Sequence, residues 1–150
     1  MRNATRAWAS RTVIARPSGE PAAVEVAARL RDPGDHAVIS AVNVADTLDV
    51  LVRIKGRTPG EVEERVDWLT AAGLVVVPLD DAIARHGGRL RAKHYDRAQR
   101  PVSMADCMAL ATALARGDPL ATSDAPLATM ARAEGCPLVS LPDSSGTQPG

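Results

Sequence analysis

At 150 residues with 18 Lys+Arg against 18 Asp+Glu, the chain is long enough for one domain with a sizeable core and carries no net field to gather nucleic acid from a distance. Hydrophobic residues make up 45%, yet Phe is absent and there are only two Trp and one Tyr, so the core must come from Ala, Val, Leu and Ile, which suits helices packed closely on a sheet. No run approaches the ~18 apolar residues of a membrane span, nothing at the N-terminus resembles a signal peptide, and Cys107 and Cys136 lack metal-site spacing; a cytosolic protein with two buried thiols is expected.

In chain order, residues 1–20 read least well. Arg2, Arg6, Arg11 and Arg16 interrupt each apolar cluster, and no clean buried strand is apparent where an α/β chain usually begins. PAAVEVAARL then has helical spacing with Pro at its start, and RDPGD breaks it. HAVIS reads as a short apolar strand, after which Ser40 opens a helix over AVNVADTLDVLVRIKG, closed by Gly56. On that helix Val44, Ala45, Leu48, Leu51 and Val52 share a broad face. Asn43, Asp46, Asp49 and Arg53 lie on the other, with Asp49 and Arg53 placed for an i,i+4 pair.

Thr58-Pro59-Gly60-Glu61 starts the next helix, with Thr as cap, Pro in the first turn and Glu closing a capping box; Gly73 ends it. LVVVP is expected to be a strand buried on both faces, followed by a helix from about Asp80 to Lys93. Asp80-Asp81 could suit a receiver-like phosphoryl site, but no nearby Lys completes one, and no P-loop or dinucleotide fingerprint is present. The segment HGGRLRAKHYDRAQRP gathers Arg89, Arg91, Lys93, Arg97 and Arg100; a flexible loop of this kind would hold a phosphate backbone, and solvated surface is the other reading. His36, His86 and His94 show no metal-ligand spacing and are read as surface or structural residues.

Residues 101–124, PVSMADCMALATALARGDPLATSD, carry the chemistry. They read as a helix opened by Ser103 and Asp106, a short apolar strand, and Ser123-Asp124 where that strand ends. Ser103 and Asp106 fit a capping box, and Asp124 fits a cap for the helix APLATMARAEG. Alternatively these residues are half of an acidic site outside the carboxyl ends of parallel strands. CPLVSL gives a last strand, and the polar tail from residue 143 is expected to be disordered beyond a single domain over residues 1–142. Strands alternating with helices argue for an α/β fold with one parallel sheet covered on both sides.

Converging carboxylates of Asp46, Asp106 and Asp124 would repel and raise one another's pKa values. A hard divalent cation removes the conflict, and a site of carboxylates without His or Cys favours Mg²⁺ or Mn²⁺ over Zn²⁺. The segments VIARPSGEPAAVEVAARL, ISAVNVADTLDVL, VSMADCMALATALARG and PLATSDAPLATMARAEG together resemble the PIN-domain family, in particular VapC-type toxins of bacterial toxin–antitoxin pairs, from about Val13 to Leu141.

The resemblance implies a three-layer α/β/α fold around a central parallel sheet and a Mg²⁺- or Mn²⁺-dependent endoribonuclease. It also implies a homodimer neutralised by a small VapB-like antitoxin whose C-terminal segment wraps the toxin. Asp46, Asp106 and Asp124 match the family's second, third and fourth acids, Ser123 matches the small hydroxyl residue before the last acid, and Asn43 is a supporting residue. The family's first acid ends an apolar strand. Aligning Val13-Ile14-Ala15 and Gly19-Glu20-Pro21 to the family pattern puts Ala9 in its place, with TRAWA as a poor central strand. The competing expectation is therefore a catalytically impaired scaffold that binds an antitoxin or RNA without cutting.

Overall fold

The computed structural model describes residues 11–15, 20–32, 34, 36–143 and 145–147. Its elements are β1 (Arg11–Ile14), α1 (Glu20–Leu30), β2 (His36–Ser40), α2 (Ala41–Arg53), α3 (Pro59–Ala71), β3 (Val75–Val77), α4 (Asp81–His94), α5 (Met104–Arg116), β4 (Leu120–Thr122), α6 (Ala125–Ala133) and β5 (Leu138–Ser140). The strands form one parallel sheet in the order β3-β2-β1-β4-β5, with Val13 and Ile14 opposite Val38 and Ile39 on one side and Leu120 and Ala121 on the other.

Alternation along the strands sorts the core into two layers. Val13, Val38 and Leu120 pack with Cys107, Leu110, Leu127 and Met130, whereas Ile14, Ile39, Ala121 and Val139 pack with Val26 and Leu74. The result is the expected three-layer α/β/α arrangement. Small residues make it close. Ala109, Ala111 and Ala113 of α5 are fully buried, as an alanine-rich core without Phe requires.

Two expectations change here. The central strand is Arg11–Ile14, although no clean strand was legible there: with strands hydrogen-bonded on both sides, Thr12, Val13 and Ile14 are buried despite the flanking arginines. Ala9, the expected place of the first acid, lies outside the described residues. Second, β3 is not buried on both faces. It is an edge strand paired only with β2, and Val75 is 56% exposed. On the layer beside it, an open apolar groove of about 1100 Å³ is lined in part by Val26, Ile39, Leu51, Trp68 and Leu74.

The helix signals hold closely. Thr58 and Glu61 form the expected reciprocal box, Ser40 accepts from Val42 N–H, and Asp80 is a cap for α4, accepting from Ile83 N–H. Among the described residues no helix is long and apolar enough to cross a membrane.

Candidate active site

In a parallel sheet whose strand order reverses, the crevice at the reversal opens outside the carboxyl ends of the strands. Here the reversal lies between β1 and β4: the chain proceeds outward from β1 to β2 and β3, then returns to the far side of β1 for β4 and β5. Ala15 follows β1 and its N–H donates to the Ala121 carbonyl at 2.9 Å, while Thr122, Ser123 and Asp124 lead out of β4 into α6. Ser40 ends the neighbouring β2 and turns the chain into α2, which carries Asn43 and Asp46.

Both acids of the central stretch are caps. Asp106 Oδ2 accepts from Ser103 N–H at 2.9 Å while Ser103 Oγ accepts from Asp106 N–H at 3.0 Å. Asp124 Oδ1 accepts from Leu127 N–H at 2.9 Å, and Asp124 N–H donates in turn to Thr122 Oγ1 at 3.0 Å, a contact that fixes the turn from β4. Capping does not exclude ligation. A carboxylate has two oxygens and about four lone-pair directions, so one cap bond leaves acceptor capacity while orienting the group. Caps therefore position Asp106 and Asp124, which is what a site needs from its scaffold.

On α2 the sequence reading needs correction. Helical periodicity puts Asn43 on a polar face turned from the core, yet it is 1% exposed and is the buried residue of this helix, while Ala45, on the apolar face by the same periodicity, is exposed. The physical reason is that α2 packs against both α3 and α5, so a polar position one turn into the helix is covered by protein rather than water. Asp46, on the following turn, is half-buried, and Asp49 and Arg53 form the expected exposed pair.

Asn43 Oδ1 and Ser123 Oγ are buried with no hydrogen-bond partner among the described residues. Each orphaned polar group costs about 1–3 kcal/mol unless something supplies its bond. Asn43 lies one helical turn before Asp46 and Ser123 directly precedes Asp124, so the side chains proposed for an ion offer oxygen atoms. That chemistry fits a hard cation such as Mg²⁺ or Mn²⁺, which takes one or two carboxylates and keeps several waters. Among the described residues no three of His, Cys, Asp and Glu come together as a ready-made metal cage, so any ion held here would depend on water for much of its shell.

The basic cluster is more ordered than a flexible loop. Arg89, Arg91 and Lys93 lie on α4, and Arg97 and Arg100 on the short segment after it. Arg91 Nε donates to the Val102 carbonyl and its guanidinium lies 4.4 Å from the Tyr95 ring centroid, Lys93 pairs with Glu134, and Arg100 donates to His94. Arg89 and Arg97 are the exposed members of the cluster without an ionic or hydrogen-bonded partner among the described residues.

Sequence reasoning missed the Glu134–His94–Arg100 contacts, because forty positions separate His94 from Glu134 and no local pattern links them. Cys107 and Cys136 are buried as expected; burial, with the nearby Asp106 carboxylate adding to it, pushes the Cys107 thiol up to about 11, too high for a nucleophile near neutrality.

The PIN domain model matches residues 12–140. Among solved structures, VapBC-1 from nontypeable Haemophilus influenzae is similar with a TM-score of 0.61 at 14% identity, covering 91% of this chain and 99% of that one. VapBC2 from Rickettsia felis, bound to a DNA fragment from its promoter, gives 0.60 at 12% identity, over 88% and 99%. A FitAcB structure from Neisseria gonorrhoeae gives 0.53 at 20% identity, over 85% and 95%. No curated protein matches by sequence. At such identities the structural likeness speaks for the fold, and the match of the domain model over most of the chain speaks for descent. This chain belongs to the PIN-domain family, whose members are generally metal-dependent nucleases.

Proposed function

We propose that this protein is a VapC-like cytosolic toxin, an endoribonuclease that hydrolyses RNA phosphodiester bonds with Mg²⁺ or Mn²⁺. What supports the reading is the position of Asp124 at the end of β4, beside the reversal of strand order, with Asp46 on the helix that leaves β2 and Asp106 in the first turn of α5. Asp106 and Asp124 would hold the ion, and Asp46 would reach it through water. When bound, such an ion stabilises charge developing on the phosphodiester and makes water a better nucleophile. Asn43 and Ser123 would offer their buried oxygens to waters or ribose hydroxyls at the same place. Arg89 and Arg97 would contact phosphates, and the other three cations, Arg91, Lys93 and Arg100, would hold the surface that presents them.

The partners proposed are a second copy of the chain and a VapB-like antitoxin. The solved VapBC and FitAcB relatives support the antitoxin, and the groove between Val26, Leu51 and Trp68 offers an apolar seat for its C-terminal segment. A specific observation favours the second reading, an impaired scaffold that binds antitoxin or RNA without cutting. The alignment to the family pattern puts Ala9, outside the described residues, in the place of the first acid, and among the described residues no three of His, Cys, Asp and Glu come together.

Incubation of end-labelled single-stranded and hairpin RNAs with the purified protein separates the readings. Cleavage that needs Mn²⁺ or Mg²⁺ and stops with EDTA is expected. Intact RNA at every metal concentration, from protein that still binds it, would establish the scaffold instead.

A further inference from the structure

We propose that Glu134, His94 and Arg100 form a positioning relay that fixes the Arg97 loop for contact with RNA phosphates. The proposal rests on the RNA-hydrolase reading above and adds to it a group of residues that touch no reacting atom.

Hydrogen-bond chemistry dictates the state of the ring. Arg100 Nη1 lies 2.6 Å from His94 Nδ1, and a guanidinium can only donate, so Nδ1 accepts. The ring proton of neutral His94 is then on Nε2 and is donated to Glu134 Oε1 at 2.5 Å. The same carboxylate oxygen accepts from Lys93 Nζ at 2.8 Å. Bonds from His94 and then Lys93 hold the Glu134 carboxyl below its ordinary range, so it remains an anionic anchor. His94 is buried at the end of α4, and Glu134 caps the end of α6; the relay thus ties the segment after α4 to a helix forty residues away.

The loop it holds is closed on itself. Asp96 and Arg100 exchange backbone bonds of 3.0 and 2.9 Å, and Asp96 Oδ1 accepts from the Ala98 and Gln99 N–H groups at 2.8 and 2.7 Å. Arg97 is at the tip, exposed. Arg91 ties the exit of the loop by donating to the Val102 carbonyl, and Ser103 then caps the helix that carries Asp106. One frame therefore carries an outward cation and a proposed metal ligand. An arginine held in place gives up less conformational freedom on binding than one on a mobile loop, which is the physical value of the relay.

The test uses binding of a short 5′-labelled single-stranded oligoribonucleotide in EDTA, with hydrogen exchange of residues 96–102 measured in parallel. His94→Phe, which keeps a ring but removes both bonds, is expected to speed exchange and raise Kd about five- to tenfold, as loss of an ordered phosphate contact would. Arg97→Ala should raise Kd comparably and reduce the slope of log Kd against log salt by about 0.7. Placed in the His94→Phe background, Arg97→Ala should add less than about twofold, because the two act as a unit. Glu134→Gln, which keeps an oxygen acceptor for His94 but loses the anionic anchor, should speed exchange and raise Kd in the same direction as His94→Phe, by a smaller factor.

Full additivity of His94→Phe and Arg97→Ala, or unchanged exchange in His94→Phe, would overturn the relay. Should His94→Phe fail to fold, Arg100→Gln cuts the same link from the loop side and must give the same result. A loosened loop with unchanged Kd in both His94→Phe and Arg97→Ala would remove RNA from this surface and point to another anionic partner. No binding by the parent protein would instead defeat the RNA reading itself.

Discussion

Asp124→Asn is expected to lower RNA cleavage by at least about 100-fold while leaving the metal-free protein folded with nearly the parent melting temperature. The substitution separates the two roles of this residue. Asparagine is as good an N-cap as aspartate, and its side-chain oxygen can still accept from Leu127 N–H, so the start of α6 survives. What disappears is the charge and the affinity for a hard cation. Asp106→Asn follows the same logic, since an amide oxygen can still accept from Ser103 N–H. Asp124→Ala is the contrast, losing the cap as well at a cost of about 1 kcal/mol. Gel-based cleavage rates beside thermal melts check this, and wild-type rates in Asp124→Asn would show that Asp124 is a cap and nothing more.

Gly87→Val is expected to cost about 3 kcal/mol and to lower the melting temperature by roughly 6–10 °C. Gly87 is buried in the middle of α4, and a Cβ there would lie 2.5 Å from Met108 Sδ, 3.1 Å from its Cε and 3.5 Å from the Cys107 carbonyl oxygen. Alanine at this position is a milder test, because the methionine end can swing aside and the helix gains about 1 kcal/mol over glycine. Valine adds two further carbons in the seam between α4 and α5, where the backbone of α5 cannot yield. Because α5 carries Asp106, RNA cleavage should fall with the seam. Denaturation of Gly87→Val and of Gly87→Val/Met108→Ala, which should recover part of the loss, checks the argument; an unchanged midpoint for the valine variant would refute it.

These two expectations draw on different levels of legibility. The caps at Ser40, Thr58, Ser103 and Asp124 were all readable, because a cap is a local pattern whose hydrogen bonds close within three residues. HAVIS was readable as β2 for a similar reason, being a short apolar run between turn signals. β1 was not. Four residues between arginines become a central strand only because His36–Ile39 and Leu120–Ala121 pair with them from far along the chain.

The same lack of tertiary information misplaced β3, since a run of valines has one composition whether its strand lies at the centre or the edge of a sheet. Asn43 shows the corresponding limit for helices. Periodicity assigns a residue to a face, but only packing against α5 and α3 decides that the polar face is covered at Asn43 and open at Asp49. Of the proposed site, the three acids and Ser123 were therefore named from sequence, whereas the orphaned oxygen of Asn43, the engaged state of Arg91, Lys93 and Arg100, and the role of His94 required the structure.

The claim that Asp46, Asp106 and Asp124 serve a divalent cation is tested most directly by thermal melting with and without millimolar Mg²⁺ and Mn²⁺, beside Asp106→Asn. An ion present at about ten times its Kd stabilises the folded state by about 1.4 kcal/mol, a rise of roughly 3–5 °C for a chain of this size. The expected result is that rise in the parent and its loss in Asp106→Asn. Identical melting curves for both proteins in every buffer would contradict the metal site and leave these carboxylates as caps.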